Sequence, residues 1–332
     1  MTVILLTGGL GYIGSHIVVE LLNSNDIYTI IVIDNLENAS SNMVDTIKQN
    51  SQSKNEFIFF KVDMKSIFDL DEIFKKYKIE VVIHLAGYKS VAQSIKNPIL
   101  YYHNNLISTT NLITTMQKYN CKNMIFSSSA TVYGNSHPPY SESSTVGIGI
   151  SNPYGKTKYL QEEMLRDLYA SDSSWNIIIM RYFNPISQRN ESLKEKTTGL
   201  PNNLFPYLLK VHNKEIDILN VYGNDYDTVD GSCVRDFIHI IDLADCHIQL
   251  CNNIIMCKPY GIGIKTYNVG TGMGVSVKKL IDTFEKENNI KLNYRIVERR
   301  EGDLPISYAD TSLIYNEIGW KTKYTLNDMV KL

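Results

Sequence analysis

Residues 7–16, TGGLGYIGSH, follow the apolar run VILLTG (3–8) and open a stretch of helical periodicity. Gly9, Gly11 and Gly14 carry the GxGxxG spacing, and Gly8, Gly11 and Gly14 a GxxGxxG spacing. Glycine at these places permits a tight strand-to-helix turn, close approach of the backbone to a pyrophosphate, and close packing of helix on strand. The helix start adds unpaired N–H groups and a positive dipole end for the phosphates. A glycine cluster alone also fits a merely tight structural turn. The next strand separates the two readings. YTIIVID (28–34) ends in Asp34, twenty residues after Gly14. A carboxylate there accepts hydrogen bonds from a ribose diol and repels a 2′-phosphate, so NAD is expected rather than NADP.

The rest of the first half repeats this rhythm. FIFFKVD (57–63), VVIHLAG (81–87), NMIFSSS (123–129) and NIIIMRYF (176–183) are continuous apolar runs, as in buried strands of a parallel sheet covered on both faces. Helical patterns lie near 13–23, 41–50, 66–77, 98–119 and 153–171. The expected fold is α/β: a Rossmann-type doubly wound parallel sheet with a smaller C-terminal α/β substrate domain. Residues 1–184 are expected to form the NAD-binding domain, also receiving later segments near 235–270. Residues 185–332 are expected mainly to bind substrate. There, IDILN (216–220) and LNYRIV (292–297) read as strands, and helices are predicted near 204–213, 242–255, 276–288, 311–317 and 326–332.

A formal charge of −2 over 332 residues, without a long basic run, gives no electrostatic support to nucleic-acid binding. No apolar stretch reaches the length of a membrane span. The opening MTVILLTGG is too short for a signal peptide, lacks a basic lead and runs straight into the glycine cluster. The five cysteines include no CxxC pair, which suits reduced thiols and a cytoplasmic protein. Cys246 and His247 are adjacent but would point to different sides of a helix, so no metal is expected.

SNPYGKTKYL (151–160) sets Tyr154 and Lys158 one turn apart at a helix start, with Asn152 as N-cap and Pro153 at the first helical position. Such a pair is often only a surface contact. It is also how a phenol is placed beside a cation that eases loss of its proton. SSSATVYG (127–134) ends another strand, on the side where open parallel sheets bind ligands. Ser127, Ser128 or Ser129 could each hydrogen-bond a substrate hydroxyl, or simply allow close helix packing. Tyr154 follows Ser129 by twenty-five residues, and the combination is more specific than either part.

TGGLGYIG, HLAGYKSVAQS, FSSSATVYG, NPYGKTK, RYFNP, PNNLFPY, VYGNDY…DG…VRDFIH, YNVGTG and RREGDLP occur in this order over nearly the whole chain. Together they resemble the extended short-chain dehydrogenase/reductases and, within them, the UDP-glucose 4-epimerase family. The resemblance implies an NAD-dependent isomerase acting on a UDP-sugar at C4, through a 4-keto intermediate reduced again on its opposite face. Tyr154 would be the base, acting directly or through Ser129, with Lys158 lowering its pKa and binding the nicotinamide ribose. A free tyrosine titrates near 10, so work at neutrality needs a lowering of roughly three units, or about 4 kcal/mol.

The resemblance further implies cofactor contacts at Gly8, Gly11, Tyr12, Ile13, Gly14, Asp34, Asn35, Asp63, Met64, Ala86, Lys89, Asn104, Ser127, Tyr154, Lys158 and Tyr182. From position alone, Asp63 equally suits a helix cap. Substrate contacts are implied at Ser129, Asn184, Asn203, Leu204, Asn220, Tyr222, Arg235, Arg300, Asp303 and Ser307. Arginine forks suit phosphate oxygens. Without the resemblance, Arg235 reads as a salt-bridge partner of Asp236 or Asp242, and Arg300 as part of the solvated charge run ERREGD. A homodimer paired through the helices near 98–119 and 153–171 is also implied.

Two departures from the family stand out. Ser307 sits where some members carry a bulky tyrosine. A small residue leaves room for an N-acetyl group at C2, so UDP-GalNAc and UDP-GlcNAc are expected to be interconverted as well. The chain ends at LNDMVKL, where relatives usually continue with a Trp-containing tail; this bears on the packing of the last helix. Three other readings compete: C4 epimerisation of another UDP-sugar, a nucleotide-sugar 4,6-dehydratase, and a non-catalytic NAD-binding protein. The dehydratase needs an acid–base pair after the serine strand, where this chain has Ala130 and Thr131. The non-catalytic protein would be expected to lack Tyr154 or Lys158.

Overall fold

In the computed structural model of the chain, residues 2–52, 55–195, 201, 203–257, 261–300 and 302–332 are described. The first half reads β1 (Thr2–Thr7), α1 (Tyr12–Asn23), β2 (Tyr28–Asp34), α2 (Asn42–Gln49), β3 (Glu56–Lys61), α3 (Ile67–Lys76) and β4 (Val81–His84). It continues with α4 (Val91–Lys96), α5 (Pro98–Lys118), β5 (Asn123–Ser129), α6 (Pro153–Ser171) and β6 (Asn176–Tyr182). Then come β7 (Asn184–Ile186), α7 (Leu204–His212), β8 (Leu219–Tyr222), β9 (Val234–His239), α8 (Ile240–Met256) and β10 (Ile264–Val269). The last elements are β11 (Gly274–Ser276), α9 (Val277–Glu287), β12 (Tyr294–Val297), β13 (Ile306–Ser307), α10 (Ser312–Ile318) and α11 (Leu326–Val330).

Seven strands pair in the order β10-β6-β5-β4-β1-β2-β3, every pair parallel. The order reverses between β1 and β4. This switch point opens a crevice at the carboxyl ends of the two strands, where doubly wound sheets take their ligands. Ile4, Leu6, Ile30 and Val32 face one apolar cluster with α1 and α8, while Leu5, Ile31, Ile33 and Val82 face another with α3, α5 and α6. That two-sided burial is why β2 shows no polar alternation. β3 departs from the expected buried strand. It lies at the sheet edge, its middle residues half-buried and Glu56 and Lys61 exposed.

Beyond β6 the strands other than β9 and β10 have four residues or fewer. β9 pairs with β7, β11 and β13, and β8 pairs with β12. They share an apolar cluster with α7, α9 and α11 that holds Leu208, Val221, Phe237 and Phe284. IDILN proves to be mostly loop: β8 starts at Leu219, and residues facing its core alternate with Asn220 and Tyr222.

Candidate active site

The glycine turn closes as its residue types require. Gly8 adopts φ +67°, and its N–H bonds Ile33 O at 2.8 Å. A Cβ on Gly14 would lie 2.6 Å from both Gly8 O and Gly9 Cα, so α1 can press on the turn only with glycine there. Gly11 caps α1 without a side-chain hydrogen bond, which leaves the first-turn amides of Tyr12, Ile13 and Gly14 without a side-chain cap. A phosphate fits such a cradle. Asp34, at the end of β2, accepts the Leu10 and Leu36 amides at 3.2 and 2.9 Å. Burial pushes its carboxyl up, and those hydrogen bonds oppose the rise.

The other expected cofactor contacts follow the carboxyl ends of the strands outward from this turn. Ala86, after β4, backs directly onto Gly8, and its N–H bonds Thr7 Oγ1 at 3.1 Å. Asp63, after β3, receives the Lys65 backbone N–H at 2.9 Å and pairs with the Lys65 ammonium. It braces the turn into α3, whose cap is Ser66. Asn35 lies beside Asp63 and helps to hold its carboxyl down. Met64 is buried, and Lys65 Nζ reaches Asn104 at 3.1 Å. Tyr12 donates its hydroxyl to Ser187 O at 2.6 Å. Lys89 lies 6.0 Å from the Tyr12 ring centre and pairs with Glu195 at 2.5 Å. Tyr182 is turned toward α8, its hydroxyl 2.5 Å from His247 Nε2. The other His247 ring nitrogen meets Leu243 O at 2.8 Å, so this histidine has no nitrogen to spare for a metal shared with Cys246.

Tyr154 opens α6 as the spacing predicts. Asn152 Oδ1 accepts the Gly155 amide at 2.8 Å, and Pro153 takes the first helical position. Burial pushes the Tyr154 phenol up to about 12; a hydrogen bond with Ser129 pulls it down, and Tyr101 pushes it up. Lys158 does not supply the expected lowering among these protein groups. Its long stem runs down to the strand end, where Nζ donates to Ser127 O at 2.6 Å and lies 4.8 Å over the Phe126 ring. Burial draws Lys158 down to about 7, against the opposing pull of Glu162. Of the three serines, Ser128 is not available to a ligand. The strand pleat turns it toward α6, where it donates to Glu162 at 2.5 Å.

The expected substrate residues fall into two groups. One is tight: Arg300 forks onto Asp303 at 3.1 and 2.8 Å, with its guanidinium 5.4 Å from the Tyr222 ring centre. Arg235 Nη2 approaches the same carboxylate at 3.6 Å, and Ser307 stands opposite Arg235 in the β13–β9 register. Arg235 therefore pairs with neither Asp236 nor Asp242. Asp236 accepts amides of Thr271, Gly272 and Ala309, and Asp242 those of Lys323 and Tyr324. Arg300 is an exposed residue, as its charge run suggests, but its guanidinium is paired with Asp303. The second group is looser. Asn184 bonds Asp236 O at 2.9 Å, Asn203 and Leu204 begin α7, and Asn220 accepts from Arg295 at 2.8 Å. The sequence reading missed Glu162 and Arg181. Glu162 was readable as the next position of the Tyr154–Lys158 stripe; Arg181, inside an apolar strand, offered no spacing signal.

Residues 4–270 match the model of the NAD dependent epimerase/dehydratase family. The chain is 42% identical to the UDP-glucose 4-epimerase of Bacillus subtilis (strain 168), over 98% of this chain and 94% of that one. It is also 42% identical to the bifunctional UDP-glucose 4-epimerase and UDP-xylose 4-epimerase 3 of Arabidopsis thaliana, over 99% and 93% of the two chains. The crystal structure of the Bifidobacterium longum UDP-glucose 4-epimerase, in complex with NAD+ and UDP, superposes with a TM-score of 0.92 at 41% identity, covering 99% of this chain and 96% of that one. With a glycine turn shaped for a pyrophosphate, a Tyr154–Lys158 pair on α6 and this likeness over nearly its whole length, the chain belongs to the NAD dependent epimerase/dehydratase family and, within it, to the UDP-glucose 4-epimerases.

Proposed function

We propose that this chain interconverts UDP-galactose and UDP-glucose by oxidising the sugar at C4 and reducing the 4-keto intermediate on its opposite face. The observation that carries this is the Tyr154 phenol beside Ser129 at the end of β5, one helical turn from a buried Lys158. NAD, held between the first turn of α1 and Asp34, Asp63, Lys89 and Ser127, supplies the two-electron exchange at C4 when bound. Tyr154 takes the proton of the sugar 4-hydroxyl, directly or through Ser129, and returns it after the sugar turns over. Lys158 keeps a positive charge within one turn of the phenol and binds the nicotinamide ribose.

Arg235 and Arg300 hold the substrate diphosphate, Tyr222 faces uracil, and Asp303 contacts ribose. Both arginines already gather on Asp303, so the group forms a concentrated site for an anion. Asn184, Asn203, Leu204 and Asn220 complete the sugar-nucleotide side, which belongs mainly to residues 185–332. Small Ser307 admits a C2 acetamido group, so UDP-GalNAc and UDP-GlcNAc are also substrates. UDP-xylose is a second candidate, favoured by the bifunctional relative. A homodimer joins through α5 and α6, which leave Ile99, Leu100, Ile107 and Leu160 exposed.

The test is purified protein with UDP-galactose and no added NAD, followed by NMR. Appearance of UDP-glucose is the expected result, and no conversion even after NAD is supplied sinks the reading. Turnover of UDP-galactose with failure on both acetamido sugars removes the inference from Ser307 alone.

A further inference from the structure

Tyr154, Lys158 and Glu162 form one stripe along α6, each a turn apart. Each meets a different serine of the β5 end: Tyr154 lies beside Ser129, Lys158 bonds Ser127 O, and Glu162 accepts from Ser128. Glu162 is fully buried. Arg181 of β6 forks onto both of its oxygens at 3.0 and 2.7 Å, and Arg166 reaches it at 3.3 Å. Arg181 Nη1 also reaches the Tyr133 hydroxyl at 3.0 Å, and that hydroxyl donates to Asn268 at 2.6 Å. A buried ion pair is a poor source of net stability, and packed apolar side chains fill such a space at least as well. What apolar residues cannot do is orient Ser128 or place a negative charge one turn beyond Lys158.

We propose that Glu162 is a positioning residue for the Tyr154–Lys158 pair: through Ser128 and Arg181 it sets α6 in register on the serine-bearing end of β5, and it places a carboxylate one turn beyond Lys158. The proposal rests on the epimerase reading and concerns how that site is held. Lys158 faces Phe126 of β5 and His84 of β4, whose burial keeps it neutral down to about pH 3. Tyr101 of α5 faces Tyr154 instead, and the Tyr182 hydroxyl is taken by His247 of α8. Among the described residues, Glu162 is the one carboxylate that opposes the fall of the Lys158 pKa. An ammonium is required beside the phenol, so activity falls as pH rises through the Lys158 pKa, and loss of Glu162 brings that fall to lower pH.

The experiment measures kcat and KM for UDP-galactose from mildly acidic to alkaline pH in the wild type, Glu162→Gln, Glu162→Asp and Ser128→Ala. Glu162→Gln is expected to move the alkaline limb of kcat down by about one pH unit, with KM changed less than about twofold. Glu162→Asp keeps the charge and is expected to restore the limb. Ser128→Ala is expected to lower kcat about threefold or more with the limb in place, because only the link to β5 is cut. An unmoved limb in Glu162→Gln overturns the proposal, as does wild-type kcat in Ser128→Ala. If Glu162→Gln does not fold, Ser128→Ala decides it: wild-type kcat overturns the proposal, and a lowered kcat with KM and the alkaline limb unchanged supports it. A wild type without turnover overturns the epimerase reading instead.

Discussion

Burial works against the charge states that the proposed chemistry asks of Tyr154 and Lys158. Burial pushes the phenol up to about 12 and the ammonium down to about 7. Removing the phenolic oxygen in Tyr154→Phe is expected to lower turnover by ~10²–10⁴-fold, the usual scale of a general base, while purified protein still releases NAD on denaturation. Lys158 has a consequence for stability. An unfolded lysine titrates near 10.4, about three units above the folded value, so between those pH values the unfolded chain binds more protons. The contribution of this group to stability therefore rises with pH across that window. Lys158→Met is expected to raise the free energy of unfolding at pH 7 by roughly 1–2 kcal/mol while abolishing turnover. The gain should shrink toward pH 10, which denaturant titrations at the two pH values would show.

At the scale of elements, the site depends on two helix starts. The contact of α1 with its turn is backbone against backbone, with no flexible side chain to yield. Gly14→Ala would place its Cβ 2.6 Å from Gly8 O and Gly9 Cα. It is expected to cost about 1–3 kcal/mol, typical of an overpacked contact, and to leave the purified protein without NAD. Cofactor released per chain, together with the thermal midpoint, checks both. The start of α6 is set by Asn152 and by Gly155, whose missing side chain lets the helix approach Ile150 and Thr131. Both starts were legible in the chain because caps and glycines act within a few residues. The bounds of β8 and the short β7, β11 and β13 were not. Strands of two to four residues carry too little periodicity to read, and each is held by a partner distant in sequence.

Across the whole molecule, the proposed diphosphate site draws on β8, β9 and the segment before β13, joined at Asp303. Arg300→Leu is expected to raise KM for UDP-galactose about tenfold or more with kcat little changed, the scale of a lost charge-assisted hydrogen bond. Steady-state kinetics would show the split. The alternation of apolar runs, the Gly8–Gly14 turn ending opposite Asp34, and the Tyr154–Lys158 spacing were all readable in the chain. Each is a local pattern whose physics is contained in the residues themselves. Other features came only from the assembled structure: the choice of Asp303 over Asp236 as partner of Arg235, the turning of Ser128 away from the crevice, and the burial of Arg181 against Glu162. They depend on which strand ends meet after the chain crosses the sheet, and burial then selects among charge partners that sequence proximity leaves equivalent.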